Sequence, residues 1–505
     1  MVWFLTTLLF LVSCTHQKIN SLQLESNATP ASSATSGNAA VQEVLPPLDT
    51  VDTSDKALDG VRSQDQKDPG REGSFNQLDA AEHFNRARVY FANRAFEEAR
   101  SHLRPLIEKF PNDPHVTTAL FLMGRTYFQE QRYTDALPYF QRLARDYSQT
   151  FDGREGFYYV AVTLLRLGQA KEAVDQYKAY VENYPPGERV ENAYLNIIDG
   201  LREADLPEDG KSWVDLIKEK FKGKPTEVNA MYARLRLDIS VKDWSHALEV
   251  CDELRRATFV TGVTVTLDAV NYLRAYCLEQ AGRVDDAIVG FSGLPDEASS
   301  YYGNLATQRL AGMKNPEALR AARQREANGH KSIRSRANQY PVQYRDLALK
   351  YAKEFKVDPR FILSIMKQES GFRANAKSGS AARGLMQLTI DTAMKYAPRL
   401  NLSGLREQDL YTPKTSIQLG SAVLGALNNM FPRMYEAVAA SYNGGEENVA
   451  RWIKRSRASA NNERLDPGVF TAEVGFDETK GYVNKVMANF RAYRQLYTEG
   501  LLLKR

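Results

Sequence analysis

The stretch "YFANRAFEEARSHLRPLIEKFPND" (90–113) decides the fold, because two later stretches repeat its pattern without a gap: "YFQEQRYTDALPYFQRLARDYSQT" (127–150) and "LLRLGQAKEAVDQYKAYVENYPPG" (164–187). Ala99, Ala136 and Ala173 stand 37 residues apart, as do Phe96, Tyr133 and Ala170; Phe110, Tyr147, Tyr184 and Phe221 keep the same step. After one degenerate unit Trp244 and Ala247 return to register, and "GRVDDAIVGF" (282–291) continues three residues late. Apolar residues recur at helical spacing, and small residues stand where helices must approach closely. Each unit reads as a helix pair that buries its apolar face only by stacking on its neighbours, so the units share one continuous core.

With a Pro after the second helix, these units resemble tetratricopeptide repeats with a step three residues longer than usual. The fold class expected is therefore all-α, a tetratricopeptide-like solenoid over 76–310 followed by a further helical domain. Two roles are open for the repeats: a curved scaffold that holds a protein partner, or a spacer that only sets shape. "SSYYGNLATQRL" (299–310) closes the solenoid, and 311–340 is a basic connector with seven Lys+Arg against two Asp+Glu. It lacks interleaved aromatics and any nucleic-acid-binding fold, so it reads as a solvated helical linker with no nucleic-acid partner.

At 505 residues the chain is long enough for about three domains. Residues 18–80 hold 5 basic and 10 acidic side chains, and 341–505 hold 25 and 16, so the C-terminal part is the one suited to an anionic polymer. The N-terminus, "MVWFLTTLLFLVSC", is too short to span a bilayer but suits a signal-peptide core over 1–13. Leu11-Val12-Ser13-Cys14 resembles the bacterial lipobox, which implies lipidation at Cys14, although no Lys or Arg precedes it. That resemblance, with Thr15 rather than Asp next, implies a lipid anchor at the periplasmic face of the outer membrane; an ordinary secretory signal implies a soluble periplasmic protein. Residues 14–75 are rich in Ser, Asp, Gly, Pro and Ala and read as a disordered tether, with a coil span of about 40–45 Å. Cys251 and Cys277 fall in helical pattern, as core residues or, in an oxidising compartment, as a pair.

Residues 341–505 contain no histidine and no cysteine. This argues against Ser-His and Cys-His nucleophilic sites and the usual zinc sites there, and no P-loop or Rossmann glycine pattern appears. Neither a metal nor an organic cofactor is expected. The remaining inventory of carboxylates, hydroxyls and amides suits glycosidic-bond cleavage. Asp358-Pro359 is a helix start, Phe361, Ile362, Ile365 and Met366 form an apolar stripe, and Gly371 is a stop. Glu369 then falls in the last helical turn, where the helix dipole and apolar neighbours disfavour its charge and raise its pKa, as a general acid requires.

Four ordered motifs follow. Glu369-Ser370, Gly384-Leu385-Met386-Gln387, Ser441-Tyr442-Asn443 and the "FDETKGYV" stretch (476–483) stand within about 120 residues. Together they resemble the catalytic domain of family 1 lytic transglycosylases, of the soluble type with a lysozyme-like fold. The resemblance implies Glu369 as the catalytic acid and base, and Ser378, Met386, Gln387, Tyr442, Asn443, Glu478 and Tyr482 as residues that bind or line the glycan. It implies cleavage of the MurNAc-β-1,4-GlcNAc bond of peptidoglycan with 1,6-anhydro-MurNAc ends. Leu388-Thr389-Ile390 and Val474-Gly475-Phe476 depart from the family's usual Leu/Ile-Met-Pro and Ile-Pro-Phe, which points to altered glycan or peptide preference. Two alternatives stand beside this reading. One is a muramidase with a second carboxylate among Glu446, Glu447, Glu473 and Glu478; the other is a non-catalytic, glycan-binding adaptor in envelope assembly.

Overall fold

The computed structural model describes residues 51–67, 75, 77–184, 189–457 and 465–504; the signal segment, Cys14 and most of the tether lie outside them. Among the described residues the chain is helical, with isolated β-bridges and no strand. No helix among them is long and apolar enough to cross a membrane.

Helix hairpins run from Ala80–Ala92 paired with Phe96–Lys109 to Leu267–Gln280 paired with Val284–Ser292. Successive second helices start at Phe96, Tyr133, Ala170, Pro207 and Trp244, one every 37 residues. The unit that looks degenerate in sequence keeps this register: Pro207 opens its helix, and Gly210 occupies the place of the buried Ala99, Ala136, Ala173 and Ala247. Each hairpin turns through a residue with positive φ, and these too are in step: Arg94, Gln131, Gly168, Asp205 and Lys242. The repeat thus fixes the backbone of the turn, even where the side chain does not favour it. Phe140 packs so closely on Gly124 that a Cβ there would lie 2.7 Å from the ring. Cys251 and Cys277 are free thiols, fully buried in the solenoid core, which settles the two readings in favour of core packing.

The connector is not simply solvated. Pro316–Ser335 forms a helix, capped by Asn315, that buries Ala318, Ala322, Arg325 and Ile333. Arg325 donates to the carbonyls of Ser292, Leu294 and Gly303, which is why a basic residue lies in the packed face. The tether reading also needs correction: Asp55–Lys67 is a helix with Leu58 buried. Its composition is poor in apolar residues, so its order comes from ion pairs to other elements (described below) rather than from its own core.

The C-terminal helices pack around Pro359–Glu369, whose Phe361, Ile362, Ile365 and Met366 are almost wholly buried. The solenoid curls along this domain and touches it repeatedly. Arg94 pairs with Asp391, Tyr133 meets Glu447, Arg166 meets Asn448, and Arg202 pairs with Glu473. Further along, Tyr272 donates to Asp466 and Asp296 pairs with Arg491.

Candidate active site

Asp358 caps the helix by accepting from the Arg360 amide, Pro359 sits at its first position, and Glu369 is its last residue. The Ser370 hydroxyl donates 2.9 Å to the carbonyl of Leu385, which ties the helix end to the Gly384–Gln387 segment. Glu369 is half-buried, and the fold around its carboxyl removes most of the water that would solvate a charge. That desolvation pushes its carboxyl up to about 8; a hydrogen bond from Tyr482 works against the shift, and the charge of Glu478 adds to it. The Tyr482 hydroxyl donates to Glu369 Oε1 at 2.6 Å. Burial first, then the adjacent Glu369, holds the Tyr482 phenol well above its usual pKa, so it remains a donor.

The second motif is a backbone platform. Gly384 has φ 77°, and a Cβ there would lie 1.9 Å from the Leu410 carbonyl, so only glycine fits. The Met386 amide donates to Ser416 Oγ, and its carbonyl accepts from the Tyr442 hydroxyl at 2.8 Å. Met386 itself is fully buried against Gly420, so its thioether is packing beneath this segment, the role its place in the motif favours over glycan contact. Gln387 also has positive φ, and its amide nitrogen donates to the carbonyls of Ala376 and Gly384.

The last two motifs meet as well, since Thr479 donates to Asn443 Oδ1 at 2.6 Å. Glu478 is exposed and lies one helical turn before Tyr482, on the same face. Ser378 sits in a part-exposed turn, where its hydroxyl accepts from the Ala382 amide. Of the residues singled out by sequence, then, Glu369 and Tyr482 touch directly. Tyr442, Asn443 and Gln387 are held in place by hydrogen bonds, Glu478 is exposed and Ser378 is part-exposed.

Two of the other candidate second carboxylates, Glu473 and Glu447, are held by partners. Glu473 is buried and held below the usual range, because Arg202, Arg236 and Arg455 outweigh its desolvation. Glu447 accepts from Tyr133 of the solenoid. Glu446 is buried with one carboxyl oxygen lacking a hydrogen-bond partner, and desolvation pushes it up to about 7. Sequence reasoning missed Arg383, the largest fully buried side chain in the protein's described part, and Ser416. An arginine within the small-residue run "SAARGLMQ" (380–387) was the available signal. Among the described residues no group of three or more His, Cys, Asp or Glu side chains is placed to hold a metal ion.

The arrangement offers one proton on a carboxyl poised between charge states, with a fixed phenolic donor beside it. Residues 346–465 match the family described as Transglycosylase SLT domain, and 84–150 and 121–188 match Tetratricopeptide repeat. The chain therefore carries an SLT-type transglycosylase domain behind tetratricopeptide repeats. A protein of Haemophilus influenzae named for soluble lytic murein transglycosylase activity is 39% identical over 136 residues, 27% of this chain and 22% of that one. The membrane-bound lytic murein transglycosylase C of Salmonella arizonae is 34% identical over 176 residues, 32% of this chain and 48% of that one. The chain thus spans less than half the length of these curated relatives. The crystal structure of the 70-kDa soluble lytic transglycosylase of Escherichia coli aligns with TM-score 0.47 and 18% identity, covering 87% of this chain and 74% of that one.

Proposed function

We propose that this protein is a peptidoglycan lytic transglycosylase of the bacterial cell envelope. The observation that carries this reading is the Glu369 carboxyl, desolvated at a helix end and hydrogen-bonded by Tyr482, in a domain that matches the SLT family. Protonated Glu369 gives its proton to the oxygen linking MurNAc to GlcNAc as the bond to the MurNAc C1 breaks. The substrate's own N-acetyl group supports the positive centre. The Glu369 carboxylate then takes the proton of the MurNAc 6-hydroxyl, whose oxygen bonds to C1 and closes the 1,6-anhydro ring. The carboxyl ends as it began, and no water is consumed. A group that gives and then recovers a proton works best with a pKa near ambient pH, and about 8 meets that need.

In this reading Ser378, Gln387, Tyr442 and Asn443 bind or shape the sugar sites, while Glu478 and Tyr482 orient the acid. The lysozyme-like domain occupies 341–505, behind repeats over 76–310 that can also engage a protein partner. Cys14 carries the lipid that anchors the chain to the outer membrane. The muramidase alternative rests on Glu478, the one candidate carboxylate that stays exposed beside Glu369.

The test is mass spectrometry of muropeptides released from purified peptidoglycan by the wild type and by Glu369→Gln. The expected products carry 1,6-anhydro-MurNAc ends, and the variant releases none. Reducing-end MurNAc would make it a muramidase. Binding without release by either protein would favour the adaptor.

A further inference from the structure

The helix Asp55–Lys67 lies outside both family matches, and it contacts the segment just before Gly384–Gln387. Asp55 Oδ1 accepts from Arg383 Nη2 and from Lys377 Nζ, each at 2.6 Å, and its Oδ2 accepts from the Tyr411 hydroxyl at 2.8 Å. Lys377 and Arg383 face each other across an isolated antiparallel bridge, and Arg383 bridges in turn to Leu388. Between them the chain folds back on itself through the Ser378 amide to Ala382 carbonyl bond, and the Gly384 amide donates to Ala376. The turn so formed carries Ser378 and leads straight into Gly384–Gln387.

Two cations held at the base of one turn repel unless something lies between them. Arg383 is completely buried, and a buried cation is tolerated only when paired. Asp55 is the carboxylate in contact with both, and Asn93 Oδ1 of the first repeat adds longer contacts to each. Burial opposes the charge of Asp55, but hydrogen bonds from Arg383, Lys377 and Tyr411 outweigh it and hold its pKa down at about 2. Two helical turns further on, Arg62 of the same helix pairs with Glu407, which begins the short helix Glu407–Tyr411, and Asp65, about three turns on, anchors the helix to Arg86 on the repeats.

We propose that Asp55 is a positioning residue: the helix Asp55–Lys67 straps the solenoid to the cleft and holds the turn 377–383, and so Ser378 and the Gly384–Gln387 platform, in glycan-binding geometry. This rests on the function proposed above and deepens it, because a segment before the repeats sets substrate affinity without touching substrate or acid.

The test uses the full-length chain. Asp55→Ala raises the KM for peptidoglycan glycan strands by at least about fivefold, corresponding to about 1 kcal/mol of lost positioning. The kcat and the pH profile set by Glu369 stay as they were, and Asp55→Glu, which keeps the charge, restores part of the affinity. Asp296→Ala strips Arg491 of its partner at the far end of the solenoid; it lowers the melting temperature and leaves KM unchanged. Hydrogen exchange of the amides in 376–388 speeds up in Asp55→Ala and not in Asp296→Ala. An unchanged KM with unchanged exchange in Asp55→Ala, or equal KM effects in both variants, overturns the inference. If the wild type releases no muropeptides, the functional reading fails instead. The exchange of 376–388 then still decides whether Asp55 holds the turn.

Discussion

Tyr482→Phe removes one hydroxyl and tests whether Glu369 is the group whose proton drives the reaction. The phenol donates to Glu369 Oε1 at 2.6 Å, so it stabilises the carboxylate more than the acid. A hydrogen bond to a charged group contributes about 1.5–3 kcal/mol. At about 1.4 kcal/mol per pKa unit, its loss lifts Glu369 from about 8 by about one to two units. Water entering the small space left by the hydroxyl recovers part of this, which favours the lower figure. Bond cleavage needs protonated Glu369, so activity is present below its pKa and falls as pH rises through it. The assay is the initial rate of muropeptide release from neutral to strongly alkaline pH. In Tyr482→Phe the alkaline limb moves up by about one unit, and the plateau drops because a weaker acid donates less readily. A limb that stays in place, or moves down, would refute the assignment of that limb to Glu369 and of Tyr482 as its donor.

Three further outcomes follow from the packing. Glu473→Ala removes the closest carboxylate of the buried Arg202 and Arg236; Asp199 still faces both, so the cost is at the lower end of about 3–5 kcal/mol, read as a lower chemical-denaturation midpoint. Gly384→Ala forces a Cβ into the Leu410 carbonyl at positive φ; its folded yield and melting temperature fall, and glycan binding falls with the displaced platform. Glu446 is neutral when folded below about 7 but ionises near 4.5 when unfolded, so its burial is harmless in acid and costs stability progressively as pH rises from 4.5 to about 7. Glu446→Gln removes that loss, stabilising the protein by up to about 3 kcal/mol above neutral pH and by little at pH 4, as thermal melts at the two pH values would show.

The repeats were legible because their constraint is periodic. Alanines every 37 residues announce close helix packing, and the structure places them at zero exposure. The unit at 207–220 escaped because its small residue is Gly210 and its first position Pro207, chemically equivalent choices that break the letter pattern but not the geometry. The positive-φ turn at Arg94, Gln131, Asp205 and Lys242 was invisible for the opposite reason: the backbone repeats there while the side chains do not. The strap helix lay beyond reach of composition altogether. A segment with one buried leucine reads as disorder, and only the cations it meets, more than 300 residues later in the chain, give it a reason to fold.

At the site, sequence placed Glu369 at a helix end and foresaw its raised pKa from local terms, dipole and apolar neighbours. What it did not supply was which side chains turn inward. Glu473 is four residues before Asp477, at the start of the helix that carries Tyr482, and looks like a catalytic candidate; three arginines, two of them from the solenoid, make it a structural anchor instead. The same contact has a functional side. Glu473 ends the short helix Pro467–Glu473 just before Asp477–Leu496 begins, so the solenoid's arginines fix the point from which the Tyr482 helix sets out. Asp55, in the helix before the repeats, meets a different part of the same domain through Lys377 and Arg383. A hydrogen bond as short as that from Tyr482 depends on where its helix begins, and in this chain the solenoid helps to set that point.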